Sequence, residues 1–286
     1  MPKIGPNVFI DPTAILADDV VIGPGTFIGA NVTIDTGCKL FNNVTVLGPT
    51  KIGQKNEFFP NCVVGADPQD LKYKGGLTEL IIGDNNVFRE NVTVNRGTEL
   101  GGGKTLIGNG NLFMAGVHVG HDCIIEDHVV AANNVLLGGH LHVERCAFIG
   151  GAAAIHHFCT IGRNAMIGGL SAVVADIPPF TISDGNPAVA RAINVRGLVR
   201  NGFSEEQIEA IKEAFKKLFK SGKFLTALSK LEADKSLDAN VQYLVEFMRR
   251  STQGKHGRYR ETLRCDTIQD IGNFYKEEKT SSGLQK

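Results

Sequence analysis

Tryptophan is absent from the 286 residues, tyrosine occurs four times, and aromatic residues make up only 7%. Such a composition suits many tight turns and a core mainly of small aliphatic side chains. Net charge is missing too, because 30 Lys and Arg balance 30 Asp and Glu. That removes the electrostatic basis for binding nucleic acid or a membrane surface. No apolar run reaches the roughly 18 residues of a membrane-spanning helix, so no membrane insertion is expected. No apolar h-region follows Met1-Pro2-Lys3, so no signal peptide is expected. Six cysteines without a secretory signal read as reduced, cytosolic thiols.

Glycine is abundant, at 34 residues, and so is one repeat. From Ile4 an aliphatic or Phe side chain returns every six residues, through Ile10, Leu16, Ile22, Ile28 and onward to Val64. The series resumes in phase at Ile82, Phe88 and Val94, then one residue out of phase from Ile107 to Val173. Four residues after each member sits a small position, holding Val20, Cys38, Val44, Cys62, Val117, Cys123 and Cys159 among others. A period of six fits neither a helix nor a plain alternating strand. It fits short strands separated by turns, three to an 18-residue coil, which is the signature of a parallel β-helix. Strand spacing then sets a rise of roughly 4.8 Å per coil. Cysteines on the small inward position read as packing residues. The triplets Asn31-Val32-Thr33, Asn43-Val44-Thr45 and Asn91-Val92-Thr93 read as parts of the repeat, not as glycosylation sites.

The solenoid is expected over residues 1–180, interrupted by polar loops at 66–81 and 95–106. Loops thrown out of a rigid coil commonly carry binding residues. Gly103-Lys104-Thr105 mimics the end of a P-loop, but the earlier glycine is Thr98 and no strand-to-helix context follows. The repeat stops after Pro178-Pro179. Residues 181–203 read as an extended connector. Ser204-Glu205-Glu206-Gln207 is a capping box opening a C-terminal α-helical domain over 204–253. A polar tail follows over 254–286, with a short helix expected at 266–278.

Seven of the eight histidines lie between His118 and His157. Residues 18 apart stack in such a coil, so His121, Gly139 and His157 fall in one column, with Asp122 below His140. Three readings of this cluster compete. An imidazole held by a carboxylate can act as a general base, with a glycine N–H above it as oxyanion donor. Histidines on adjacent coils can instead ligate Zn²⁺, or can be solvated corner residues. The His121–Asp122 pair beneath Gly139 favours catalysis, while His128 and His142 taken singly favour solvation.

The motifs together resemble the UDP-N-acetylglucosamine O-acyltransferases that begin lipid A biosynthesis. The resemblance covers residue 4 to about 253. Its specific parts are Gln69-Asp70-Leu71-Lys72-Tyr73, Arg96-Gly97-Thr98, Gly101-Gly102-Gly103, His118-Val119-Gly120-His121-Asp122-Cys123, Gly139-His140 and His156-His157-Phe158-Cys159. Gly185-Asn186, Gly197-Leu198 and Gly202-Phe203-Ser204 continue it. The resemblance implies a left-handed coil and a cytoplasmic homotrimer with its sites between neighbouring coils. The implied donor is a 3-hydroxyacyl chain on acyl carrier protein, and no cofactor or metal is implied. His121 would be the base on the glucosamine 3-hydroxyl, Asp122 its orienting carboxylate and Gly139 the oxyanion donor. Gln69, Asp70, Lys72, His118, His140, His156, His157, Asn186 and Arg200 would bind substrate, Asp70 and Lys72 contacting the sugar nucleotide, and Gly169 would set acyl-chain length. Asn95, His157, Arg196 and Asn201 depart from the family pattern at acceptor-binding positions. An N-acyltransferase acting on a 3-amino sugar nucleotide is the alternative they keep open, beside a zinc lyase on the same coil.

Overall fold

A computed structural model describes residues 1–264. Among these, short strands gather into three walls of eleven, nine and eight strands. The first wall begins at Lys3–Ile4, the second at Phe9–Ile10 and the third at Ile15–Leu16. The chain visits them in rotation, so Phe9 pairs in parallel with Phe27, Val130 with Phe148 and His118 with Leu136. Strands of two residues have no stability alone. Each is held by the coil above it, as where the N–H of Lys3 donates to Val20 O at 2.9 Å and that of His118 to Val135 O at 3.0 Å.

The six-residue positions point inward. Ile22, Ile28, Leu40, Val119 and Leu137 are buried, while Ile4 is 53% exposed because no coil lies beneath the first turn. Phe58, Phe88 and Phe113 form a stack inside the coil, with centroids 4.7 and 5.0 Å apart. Cys38, Cys62, Cys123 and Cys159 are enclosed. Burial pushes the thiols of Cys62 and Cys123 up to about 12, so they pack and do not react. Asn56, Asn86 and Asn111 occupy the same small position as an amide ladder, each donor-acceptor step 2.9 Å.

Most corners place a residue at positive φ, which asparagine tolerates better than most. Asn31, Asn43 and Asn91 take it with φ of 57°, 55° and 59°, which accounts for the Asn-Val-Thr triplets. Both loops leave the coil at one corner, between the second and third walls. They span 67–78 and 96–103, shorter than expected, because Ala66 still pairs with Asn95 and Glu79 with Lys104. Val64 pairs with Val94, thirty residues on, so the first loop inserts a multiple of six and keeps the phase. Val94 pairs with Val119, twenty-five on, so the second loop shifts the phase by one residue.

Residues 181–203 are not the extended connector expected. Thr181–Gly185 and Ala188–Ile193 form an antiparallel hairpin that continues the first wall, with Met166 pairing to Ile182. Helix α1 (Val195–Arg200) follows, capped by the Asn194 side chain. Phe180, Ile193 and Leu198 are buried against the helices; these widely spaced anchors leave no periodic signal. The expected capping box is present, with Ser204 and Gln207 opening α2 (Glu205–Phe215). Helices α3 (Phe224–Ala233) and α4 (Ala239–Gln253) complete a second core around Ile211, Phe215, Leu228 and Leu244. Part of the expected tail is folded, as a 3-10 turn at Tyr259–Leu263. The helix expected at 266–278 lies outside the described residues. Among the described residues no helix is long and apolar enough to cross a membrane.

Phe88 lies between two rings and is fully enclosed. Phe88→Ala is expected to cost about 3–5 kcal/mol, as a large cavity in a close-packed core does. Urea denaturation measures it, and a loss under about 1 kcal/mol would mean the stack does not carry the local packing.

Candidate active site

The corner between the second and third walls carries two columns of side chains. One column holds His121, Gly139 and His157, the other Asp122, His140 and Phe158. The backbone fastens them, with the His140 N–H donating to His121 O at 2.8 Å and the Phe158 N–H to Gly139 O at 3.2 Å. Asp122, His140 and Phe158 all sit at positive φ, 59°, 61° and 64°. No asparagine relieves that corner here, so backbone preference has yielded to side-chain placement.

Asp122 is 3% exposed. Its Oδ1 accepts from the Thr98 N–H at 2.8 Å, and its Oδ2 from the Thr98 hydroxyl at 2.7 Å and from His121 Nδ1 at 2.8 Å. Its own N–H donates to Thr105 Oγ1 at 2.8 Å. An ionised carboxylate only accepts, so Nδ1 of His121 carries the hydrogen and, in the neutral ring, Nε2 holds the lone pair. The second loop approaches closely enough that a Cβ on Gly101 would lie 2.0 Å from Asp122 Cγ. Above the pair, a Cβ on Gly139 would lie 2.7 Å from His121 Cε1 and 2.8 Å from Nε2. Among the described residues the Gly139 N–H donates no hydrogen bond.

The His140 ring stands edge-on to His121 at 4.9 Å and stacks on Phe158 at 4.3 Å. Burial pulls its pKa down to about 4, and Asp122 Oδ2, 3.7 Å from its Nδ1, offsets only part of this. His118 bonds Thr93 Oγ1 through Nδ1 at 2.8 Å, and burial lowers its pKa also. On the next coil His156 donates Nδ1–H to His157 O at 3.0 Å, and the two rings lie 3.8 Å apart. The first loop brings Asp70 and Lys72, joined by Lys72 N–H to Oδ1 at 3.0 Å and Nζ to Oδ2 at 3.5 Å. Arg96 ties the two loops together by bonding both Asp67 and Tyr73. A cavity of about 280 Å³ opens between Asp70, Lys72, Thr98, His140 and Phe158. Gln69 is exposed next to Asp70 in the chain.

Other expected site residues stand apart from this corner. Asn186 is exposed at the tip of the hairpin, and Arg200 is exposed on α1. Arg200 lines a different groove with His128 and Phe148 on the first wall. Gly169 lies at the corner between the first and second walls, where a Cβ would be 3.2 Å from Gly151 O. Arg260 contacts the site residues without having been singled out, and Thr105 and Phe158 stood only within motifs. Thr98 belonged only to a motif, with no assigned role. A lone threonine in a loop carries no chemical signal until its partner is known.

His121, Asp122 and His140 offer metal-ligand atoms within 4.8 Å of one another. A cation there would compete with the Thr98 and His121 donors that already occupy the carboxylate. The geometry instead suits a base, a carboxylate that orients it and a backbone donor above.

Residues 1–36 match the family described as bacterial transferase hexapeptide (six repeats), so coil and corner together define a hexapeptide-repeat transferase. Residues 176–256 match UDP N-acetylglucosamine O-acyltransferase, domain 2. An acyl-(acyl-carrier-protein)–UDP-N-acetylglucosamine O-acyltransferase of Stutzerimonas stutzeri is 42% identical over 255 residues, 89% of this chain and 99% of the relative. The LpxA structure from Acinetobacter baumannii is 43% identical, with a TM-score of 0.82 over 85% of this chain and 95% of that one. The UDP-N-acetylglucosamine acyltransferase structure from Bacteroides fragilis is 40% identical, with a TM-score of 0.82 over 85% and 96%. The chain belongs to the UDP-N-acetylglucosamine O-acyltransferase family, as a left-handed parallel β-helix with a C-terminal helical region.

The pKa of His140 is depressed from its ordinary 6.5 to about 4. The folded state therefore binds fewer protons than the unfolded chain between those values. The stability associated with this ring is present above about pH 6.5 and is lost as pH falls toward about 4. An NMR titration should find the His140 imidazole neutral down to about pH 4. A midpoint at 6 or above would contradict its desolvation.

Proposed function

We propose that the chain transfers a 3-hydroxyacyl group from acyl carrier protein to the 3-hydroxyl of the glucosamine unit of UDP-N-acetylglucosamine, the first step of lipid A biosynthesis. One observation carries the reading: His121 Nδ1 is bound to buried Asp122 Oδ2 at 2.8 Å, which directs its other nitrogen to the groove beneath Gly139. In the proposed step Nε2 takes the proton of the sugar hydroxyl as its oxygen attacks the thioester carbonyl. The tetrahedral oxyanion is met by the Gly139 N–H. The C–S bond then breaks, and the proton returns from the imidazolium to the departing thiolate. Asp122 is a positioning residue that fixes the tautomer and steadies the imidazolium. The reaction needs no metal or cofactor.

Gln69, Asp70, Lys72, His118, His140, His156 and His157 would face the UDP-sugar and the acyl chain from the same corner. Asn186 and Arg200 sit on other faces of the same chain. In a homotrimer with sites between neighbours, they would reach the acceptor from a second copy. Gly169 exposes backbone where a side chain would otherwise project, which supports its role in admitting a longer acyl chain.

The test measures transfer to the hydroxyl acceptor and to its 3-amino analogue, with carrier-protein and coenzyme A donors. The parent is expected to acylate the hydroxyl acceptor from the carrier protein. His121→Ala is expected to lower kcat by about 10²–10⁴. Near-parental turnover in that variant would remove the base assignment, and faster transfer to the amine would change the reaction to amide formation. Gly169→Met is expected to shift preference toward shorter donors; an unchanged length profile would relieve Gly169 of that role.

A further inference from the structure

The match to the family's second domain ends at residue 256, and the Stutzerimonas relative is covered to 99% of its length by 89% of this chain. The residues beyond that match return to the active-site corner. Gly257 O accepts from the Asp176 N–H at 2.8 Å. Arg258 Nη1 donates to Val174 O at 2.7 Å, and the Tyr259 N–H to Asp176 Oδ2 at 3.0 Å. These bonds fasten the segment to the last corner on the edge that carries His121 and His140. Arg260 then donates Nε–H to His140 O at 2.8 Å. It forms the wall of the cavity together with Leu263 and Arg264, and the other lining includes Lys72 and Thr98.

The cations in this cavity are not equivalent. Lys72 lies 3.5 Å from the Asp70 carboxylate. Arg264 is 3.2 Å from Glu261, which Arg258 also holds at 3.1 Å. Among the described residues, Arg260 has no carboxylate within ion-pair distance, and its terminal nitrogens form no hydrogen bond. Burial works against its charge, with Asp176 and Asp122 contributing weaker, more distant compensation. A guanidinium anchored by Nε leaves its terminal nitrogens as a planar pair of donors, which matches two oxygens of a phosphoryl group.

We propose that this C-terminal segment makes Arg260 a specificity-determining residue, an anion subsite that binds a phosphoryl group of one of the two substrates. The proposal rests on the acyl-transfer reading for what those substrates are. The phosphoryl group belongs either to the diphosphate of the sugar nucleotide or to the phosphopantetheine arm of the donor.

Isothermal titration of the full chain with UDP and uridine, and with 4′-phosphopantetheine and pantetheine, tests this and separates the sources. Arg260→Gln is expected to bind one phosphorylated probe about tenfold or more weakly, the scale of a lost charge-assisted contact. Its phosphate-free counterpart should bind as to the parent, and Arg260→Lys should recover part of the loss. The probe that weakens identifies the source. Unchanged affinity of Arg260→Gln for both phosphorylated probes would overturn the proposal. So would an equal loss for probes with and without phosphate, because Arg260 would then only support His140. Thermal unfolding of each variant checks that the fold is retained. The titration needs no turnover, so a chain that binds UDP through Arg260 and transfers nothing would overturn the reaction and leave this inference standing.

Discussion

The stacking of one coil on the next is the constraint from which the rest follows. A strand of two residues cannot nucleate a sheet, so each coil borrows its stability from its neighbours, as in other solenoids. Side chains of one wall must alternate in and out in step with those above and below, because a slip of one residue would turn core positions to solvent. The two loops obey this rule differently. One inserts a multiple of the repeat and leaves the phase untouched; the other shifts the phase by one residue, and the coil above it continues in the new phase with Val119 over Val94. Such an insertion costs little when it leaves at a corner, because the strands on either side keep their pairing.

Stacking also converts sequence distance into chemistry. His121, Gly139 and His157 are far apart along the chain and one coil step apart in space. The same geometry creates a problem at Asp122, whose carboxylate is buried at the corner. A buried charge without partners is strongly unfavourable. Thr98 supplies two donors and His121 a third, so the second loop is part of what satisfies the buried carboxylate. The hydrogen-bond network also selects one tautomer of His121. Orientation of the ring is thus a consequence of satisfying the carboxylate.

Much of this was legible in the residues alone. The six-residue period, the inward cysteines, the capping box at Ser204 and the stacking of Gly139 over His121 beside Asp122 all follow from spacing. Three things were not. The segment after Pro179 appeared extended because its anchors, Phe180, Ile193 and Leu198, are too widely spaced to form a pattern. Thr98 was invisible as the partner of Asp122 because the loop between them has no period to count along. Asn186 and Arg200 belonged to the family motifs, yet stacking within one chain sends them to other faces. Periodicity predicts what lies directly above and below a residue, and nothing about contacts made across the gap between two coils.

The C-terminal segment shows the limit of that rule most clearly. Residues 258–264 have no repeat and a polar composition, which is why they read as a tail. They are held by Asp176, at the last corner before the coil ends: its N–H donates to Gly257 O, and its carboxylate, which already accepts from the Thr160 N–H, accepts also from the Tyr259 N–H. Ending the solenoid at this corner therefore creates a docking point on the edge that carries the active-site histidines. A segment docked there reaches His140 within one residue.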